Sequence, residues 1–253
     1  MGAIQRIINS KIIERTKRKL ALSSGIYFKI KKLAPSASEE YRTVKLLTTY
    51  KIDKVIDIGA NTGQFAESLI DFGFKGEIIS FEPVSSAYIA LQKRAKKYNN
   101  WKIAEKCAIG NSNGKIKINV SENTVFSSIK NISKDYVSYN NDSKQVSFEE
   151  VNIFTLDSLK NNYLNKNENL FIKIDTQGFE KEVLEGAEET LKYVKGIKLE
   201  IPLRPIYNEV EWGIKEYINF FYDKGFECLS LEPVAVNNKN GIVYEVDGIF
   251  FKK

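Results

Sequence analysis

Short apolar runs and longer stretches with helical spacing alternate along most of the chain. The runs fall at 54–59 (KVIDIG), 77–83 (EIISFEP), 101–110 (WKIAEKCAIG), 170–175 (LFIKID), 196–203 (GIKLEIPL) and 226–236 (FECLSLEPVAV). Helical stretches are predicted at 63–73, 85–98, 179–194 and 211–224. Strands that alternate with helices pair in parallel through right-handed crossovers, so the pattern predicts an α/β fold on a mostly parallel sheet. The run YEVDGIFFKK, 244–253, follows the strand at 226–236 across a short Asn/Gly-rich turn with no helix between. That pair is expected as an antiparallel hairpin. Residues 111–153 break the rhythm. They are rich in Asn and Ser and alternate apolar with polar at KIKINVS and QVSFEEV, which predicts inserted strands and loops in place of a crossover helix.

Composition narrows the picture. With 253 residues, 43% of them hydrophobic, the chain can bury a large core and is expected to form one main domain. No apolar stretch reaches the ~18–20 residues that cross a bilayer, and the first residues lack a signal-peptide pattern. Cys107 and Cys228 stand far apart and read as core residues of a reducing compartment. The expected location is the cytoplasm, free or associated with a membrane surface.

Charge is unevenly placed. Residues 1–33 hold nine Lys/Arg and only Glu14, whereas the rest holds 29 basic and 31 acidic groups. The body is therefore near neutral, which argues against a nucleic-acid partner. The arm spaces Ile4, Ile7, Ile8, Ile12 and Leu20 helically among basic residues. Such a helix either docks on an anionic membrane or protein, or packs its apolar face on its own domain. The expected division is an arm at 1–33 and a body at 34–253.

Histidine is absent. Proton transfer must then use Asp, Glu, Lys, Tyr or water, and His-based nucleophile relays and zinc sites are excluded.

Residues 55–65, VIDIGANTGQF, place an acid and two glycines at a strand end. Ligands of open α/β sheets bind beyond the carboxyl ends of the strands. The spacing G-x-x-x-G departs from the G-x-G-x-x-G of dinucleotide folds. Asp57 would repel a pyrophosphate but attract the ammonium of an amino-acid-like cofactor. S-adenosylmethionine (SAM) has that ammonium and no phosphate. Gly59 and Gly63 let the backbone turn and a ligand approach. Glu82, ending the next strand, is suited to accept both hydroxyls of a ribose. Cys107–Gly110, with Ala108, would border the adenine. Asp175 ends a buried strand, Glu180 opens the next helix and Glu200 ends the following strand. All three carboxylates are candidates to orient an acceptor or take its proton, with helix capping as the alternative for the first two.

These stretches, with ISFEPVSSAY, FSSI at 126–129, VNIFTLDSL, IKIDTQGFEKEVLEGA and LEIPLRPIY, resemble the FkbM family of SAM-dependent methyltransferases from about residue 40 onwards. The resemblance implies a Rossmann-like class I methyltransferase with a seven-stranded sheet. It implies O-methylation of a hydroxyl on a sugar, glycan, glycolipid or related natural product. It makes Asp57, Gly59, Asn61, Gly63 and Glu82 cofactor residues and puts Ser128 in a cofactor-side loop. Gln177 stands where many members carry Glu, which weakens any case for a metal held by clustered acids; none is expected. The insertion at 111–153, with Tyr136 and Tyr139, is either a polar lid over a hydroxylated acceptor or a solvated decoration. Three other functions stand beside this one, the first a nicotinamide oxidoreductase, which the glycine spacing disfavours. An N-methyltransferase would show Asn/Asp-Pro-Pro-aromatic where this chain reads Asp-Thr-Gln-Gly. A non-catalytic docking module would use the basic arm.

Overall fold

The computed structural model describes residues 34–121, 127–130, 145–165, 167–204, 206 and 211–253. The chain divides between residues 39 and 40. The basic arm, Tyr136 and Tyr139 lie outside the described residues.

Why the runs become strands is clearest at the middle of the sheet. In β1 (Lys54–Ile58) and β7 (Leu170–Ile174) every residue is buried, as expected where both faces are covered. Alternate side chains serve opposite faces. Val55, Phe171, Ile249 and Phe251 pack with α1 (Glu39–Thr49), α2 (Gln64–Asp71) and α3 (Ser85–Ala95). Ile56, Ile58, Ile172, Ile174 and Phe250 form the other cluster. It includes α4 (Leu156–Tyr163), α5 (Glu180–Glu185), α6 (Glu188–Leu191) and α7 (Ile214–Asp223). The result is a three-layer sandwich.

The other strands are β2 (Glu77–Phe81), β3 (Trp101–Ile103), β4 (Ala108–Ile109), β5 (Gly114–Ser121), β6 (Gln145–Phe154), β8 (Val194–Pro202), β9 (Phe226–Val236) and β10 (Val243–Lys252). The main sheet runs β3-β2-β1-β7-β8-β10-β9. β10 is antiparallel to both β8 and β9, and the remaining pairs are parallel. This is the Rossmann-like methyltransferase sheet that the sequence predicts, with the expected hairpin. Its second strand does not close the edge; it inserts between β8 and β9.

Residues 111–153 do supply extra strands. β5 and β6 pair antiparallel, and β4 joins β6 in parallel, making a second, three-stranded sheet. The run at 101–110 is therefore two strands in two sheets. The predicted helix at 179–194 is likewise two short helices, divided at Gly186–Ala187. Helices α1 and α4 were not expected. No helix among the described residues is long and apolar enough to cross a membrane.

Candidate functional site

The strands β1, β2, β4 and β7 all end at one cleft, enclosing about 630 Å³ including its mouth. That lies within the ~300–1,000 Å³ of small-molecule sites. Gly59, Asn61, Glu82, Ala108, Ser128 and Asp175 line it, so six of the predicted site residues meet there. Val84, Cys107 and Ile109 add an apolar wall on the Ala108 side.

Glu82 is buried at the floor. Its two carboxylate oxygens accept the backbone N–H groups of Asn61 at 2.7 Å and Val84 at 2.8 Å. Each oxygen keeps a lone pair for a further donor, so the carboxylate is held in a fixed orientation with acceptor capacity to spare. Burial pushes its pKa up to about 7 despite those two amides. Asn61 adopts a left-handed conformation (φ 48°) and its side-chain oxygen accepts the N–H of Thr62. Ser128 is buried, donates to the carbonyl of Gln177 and so ties the inserted segment to the turn after β7.

The two glycines serve packing more than ligand approach. Gly59 has φ 73°, and a Cβ there would stand 1.8 Å from the Asp175 carbonyl oxygen. Gly59 therefore lets the loops after β1 and β7 touch. Gly63 has φ 94°, and its Cβ would meet the Trp101 ring at 2.4 Å. It lines neither this cleft nor the cavity beside it.

Asp57 departs from expectation. It is fully buried and lines neither cavity, and its carboxylate faces Ser80 and a lysine it shares with Asp175. Oδ2 accepts the Ser80 hydroxyl at 3.0 Å, and Oδ1 lies 3.3 Å from Lys173 Nζ. Burial pushes the Asp57 pKa up, with Lys173 and Ser80 opposing. Asp57 thus supports the site from below instead of meeting an ammonium directly.

A continuous polar chain runs beneath the cleft across the strands. The Trp101 indole donates to Ser80 Oγ (3.0 Å), Ser80 to Asp57, and Lys173 joins Asp57 to Asp175 at 3.1 Å. The Gln177 amide nitrogen then donates to Asp175 Oδ1 at 2.7 Å and Glu200 Oε2 at 2.8 Å. Burial disfavours the Lys173 ammonium, yet Asp175 and Asp57 outweigh it and hold its pKa above the ordinary lysine value. Burial also disfavours the Asp175 carboxylate, but Lys173 and then Gln177 hold its pKa below the usual range. Glu200 goes the other way, raised by burial and by Asp175 beside it.

Glu180 does not join this group. Its carboxylate folds back onto the preceding turn and accepts Thr176 N–H (2.8 Å), Thr176 hydroxyl (3.0 Å) and Gly178 N–H (3.0 Å). It lines neither cavity, so the expectation of a carboxylate at the cleft rim is corrected: Glu180 fixes the turn that presents Asp175 and Gln177.

A second cavity, of similar size, shares Gly59, Asn61 and Asp175 with the cleft. Its other walls include Gln64, Phe65, Lys198, Glu200 and Asp247, most of which sequence reasoning did not single out. Lys198 pairs with Asp247 at 2.5 Å. The available signal was a lysine inside each of two buried apolar strands, since a buried charge needs a partner. Among the described residues, no group of three or more Asp, Glu, Cys or His is arranged to hold a metal ion.

Fold and site together define a Rossmann-like methyltransferase. Residues 57–238 match the methyltransferase FkbM domain, and the chain belongs to that family. No curated protein matches the chain. Among solved structures, it is similar to an rRNA methylase from Streptococcus thermophilus, with 11% identity, TM-score 0.47, and 88% of this chain and 99% of that one covered. It is also similar to a SAM-dependent methyltransferase from Aquifex aeolicus, at 12% identity and TM-score 0.42, with 88% and 100% covered. Precorrin-6y C5,15-methyltransferase from Geobacter metallireducens gives 14%, 0.42, 89% and 93%. The cofactor is SAM, and the residues present fit it: a pre-oriented buried carboxylate for a ribose, and small apolar walls at Val84, Ala108 and Ile109 for a purine.

Proposed function

We propose that the protein transfers the methyl group of SAM to a hydroxyl of a sugar, glycan or similarly hydroxylated product. The observation that carries this reading is the position of Asp175. Of the acids lining the two cavities among the described residues, it alone lines both. Polar and charged side chains surround the second cavity, which suits an acceptor rich in hydroxyl groups.

Bound SAM supplies an electrophilic methyl carbon. Glu82 would hold the ribose, Val84 and Ala108 the purine, and the Gly59–Asn61 backbone the methionyl end. Asp175 remains ionised at neutral pH because Lys173 lies beside it. It can therefore accept a hydrogen bond from the acceptor hydroxyl and take its proton during attack. Gln177 fixes the carboxylate in orientation and links it to Glu200. Glu200, with its raised pKa, is the poorer choice for an ionised base and the better one for a second hydrogen-bonding group. Orientation of this kind is worth ~7–11 kcal/mol of a barrier.

The test has two stages. Calorimetry with SAM, using NAD as control, establishes the cofactor. Incubation with methyl-labelled SAM and a panel of free sugars and glycans, read by mass spectrometry, looks for a mass gain of one methylene (about 14 Da) plus the mass of the isotopic label. Tandem spectra must place it on oxygen. Saturable SAM binding with label on nitrogen alone would overturn the hydroxyl assignment.

A further inference from the structure

On the far side of the Asp175–Gly178 turn lies a third, shallow hollow, of about 300 Å³ including the open solvent at its mouth. Lys130, Glu180, Lys181, Glu211, Trp212 and Glu245 form its walls. It adjoins the cleft through two segments: Gly178 follows Gln177, and Lys130 follows Ser128 and Ile129, all three of which line the cleft.

Its charges do not balance. Lys130 pairs with Glu182 at 2.9 Å, and Lys181 pairs with Glu211 and with Glu185 at 3.5 Å, so both lysines are committed to acids. Glu180 accepts hydrogen bonds from the 176–178 turn but forms no ion pair among the described residues. Glu245, on β10, is only 8% exposed, opens into the hollow and has no hydrogen-bond donor or cation among the described residues. An isolated buried carboxyl is costly unless something pairs with it. Burial and the nearby carboxylates of Glu180 and Asp175 push its pKa up to about 8, a penalty that an arriving cation would reverse. Trp212 supplies an aromatic wall, and its ring already attracts the Lys181 ammonium at 5.9 Å.

We propose that this hollow is an acceptor subsite for a protonated amine, the ammonium pairing with Glu245 and Glu180 against Trp212. The acceptor is then a hydroxylated molecule that carries an amino group, and this rests on the methyl-transfer reading above. Two carboxyl groups and an aromatic face are the means by which proteins bind ammonium ions, whereas a neutral hydroxyl would leave the two acids uncompensated. When the ammonium binds, a protonated Glu245 releases its proton to solvent.

Full-length protein is titrated calorimetrically with glucosamine and ethanolamine, each beside its neutral counterpart, glucose or ethylene glycol. At pH 7 the amines should bind at one saturable site at least tenfold more tightly than the counterparts. Their binding should release protons, read as a heat that varies with buffer ionisation enthalpy. Glu245→Gln, checked for folding by its melting curve and SAM titration, should weaken amine binding at least tenfold. Equal affinity for amine and neutral partner, no saturable amine binding, or undiminished binding in a folded Glu245→Gln would each overturn the subsite. Should the variant not fold, the amine-to-neutral comparison in the wild type decides alone. The two readings fail separately. Methylation of neutral sugars with no amine preference sinks the subsite only; amine binding with label solely on nitrogen sinks the hydroxyl assignment only.

Discussion

Asp57 and Lys173 stand directly opposite each other on β1 and β7, and the lysine reaches across to pair with the acid at 3.3 Å. The same ammonium pairs with Asp175 at 3.1 Å and donates to the Gly59 carbonyl at 3.1 Å. One buried cation thus holds the glycine loop, the strand below it and the candidate base in a fixed relation.

Removing that cation should therefore cost more than removing either acid. Lys173→Met leaves the fully buried Asp57 and the half-buried Asp175 without their shared cation, and breaking a buried pair from one side costs ~3–5 kcal/mol. Asp57→Asn keeps an acceptor for Ser80 and leaves Lys173 its other partners. Urea denaturation of both variants is expected to show the larger loss in Lys173→Met. Equal midpoints would show that the lysine is not the hub.

Glu82→Gln should separate cofactor binding from folding. The amide can accept from one backbone N–H but turns its own N–H₂ toward the other. A lost charge-assisted hydrogen bond is worth ~1.5–3 kcal/mol, roughly ten- to a hundredfold in SAM affinity. Calorimetry reads this directly, and an unchanged Kd in a folded variant refutes the ribose role.

Acidity supplies an independent check. The pKa values of Glu82 and Glu245 rise from 4.5 to about 7 and about 8 on folding. A group raised in this way contributes its full stability below the unfolded value and loses it as pH rises through the folded one. Melting temperature of the cofactor-free protein is therefore expected to fall between about pH 5 and 8.5, and Glu245→Gln should flatten that fall above pH 7. SAM affinity should move oppositely, weakening below about pH 7 as Glu82 takes up its proton.

Asp175→Asn keeps the shape and the Gln177 contact while removing basicity. With an acceptor in hand, kcat is expected to fall ~10²–10⁴-fold with SAM affinity nearly normal. A collapse of SAM affinity with kcat within a few-fold would make Asp175 a cofactor ligand. Glu180→Gln, by contrast, should lower the melting temperature and leave kcat per folded molecule near normal, any further loss falling on KM for an amine-bearing acceptor.

Most strands of the main sheet were legible because a buried parallel sheet writes itself as bare apolar runs; the place of β10 between β8 and β9 was not, because a hairpin pattern does not say which of its strands takes the edge. The same property hid the orientation of Asp57. All five residues of β1 are buried, so alternation carries no signal for which way a side chain points. Its pairing became visible only with the register that sets it against Lys173 and Ser80. Glu180 misled for a local reason: an acid in a first helical turn suits both an open cleft and the turn behind it, and three nearby donors decided the matter. Glu245 was illegible because its isolation depends on Pro202 and Ala235, the neighbours it meets across two strand pairings. Helices α1 and α4 escaped because polar residues dominate both, leaving few apolar positions to mark a buried face: Val44 and Leu47 in α1, Leu156 and Leu159 in α4.

The place of β10 between β8 and β9 bears on synthesis. On the ribosome β9 emerges before the strand that will be its sole neighbour in the main sheet, whereas β1, β2, β7 and β8 can assemble as they appear. A nascent chain therefore carries one half of its sheet ready and the other waiting with an unpaired β9, a species open to chaperones and to wrong pairing. Closure of the β8–β10–β9 set, which also brings Glu245 and Asp247 to the site, is then the step that turns a half-built sheet into a competent protein.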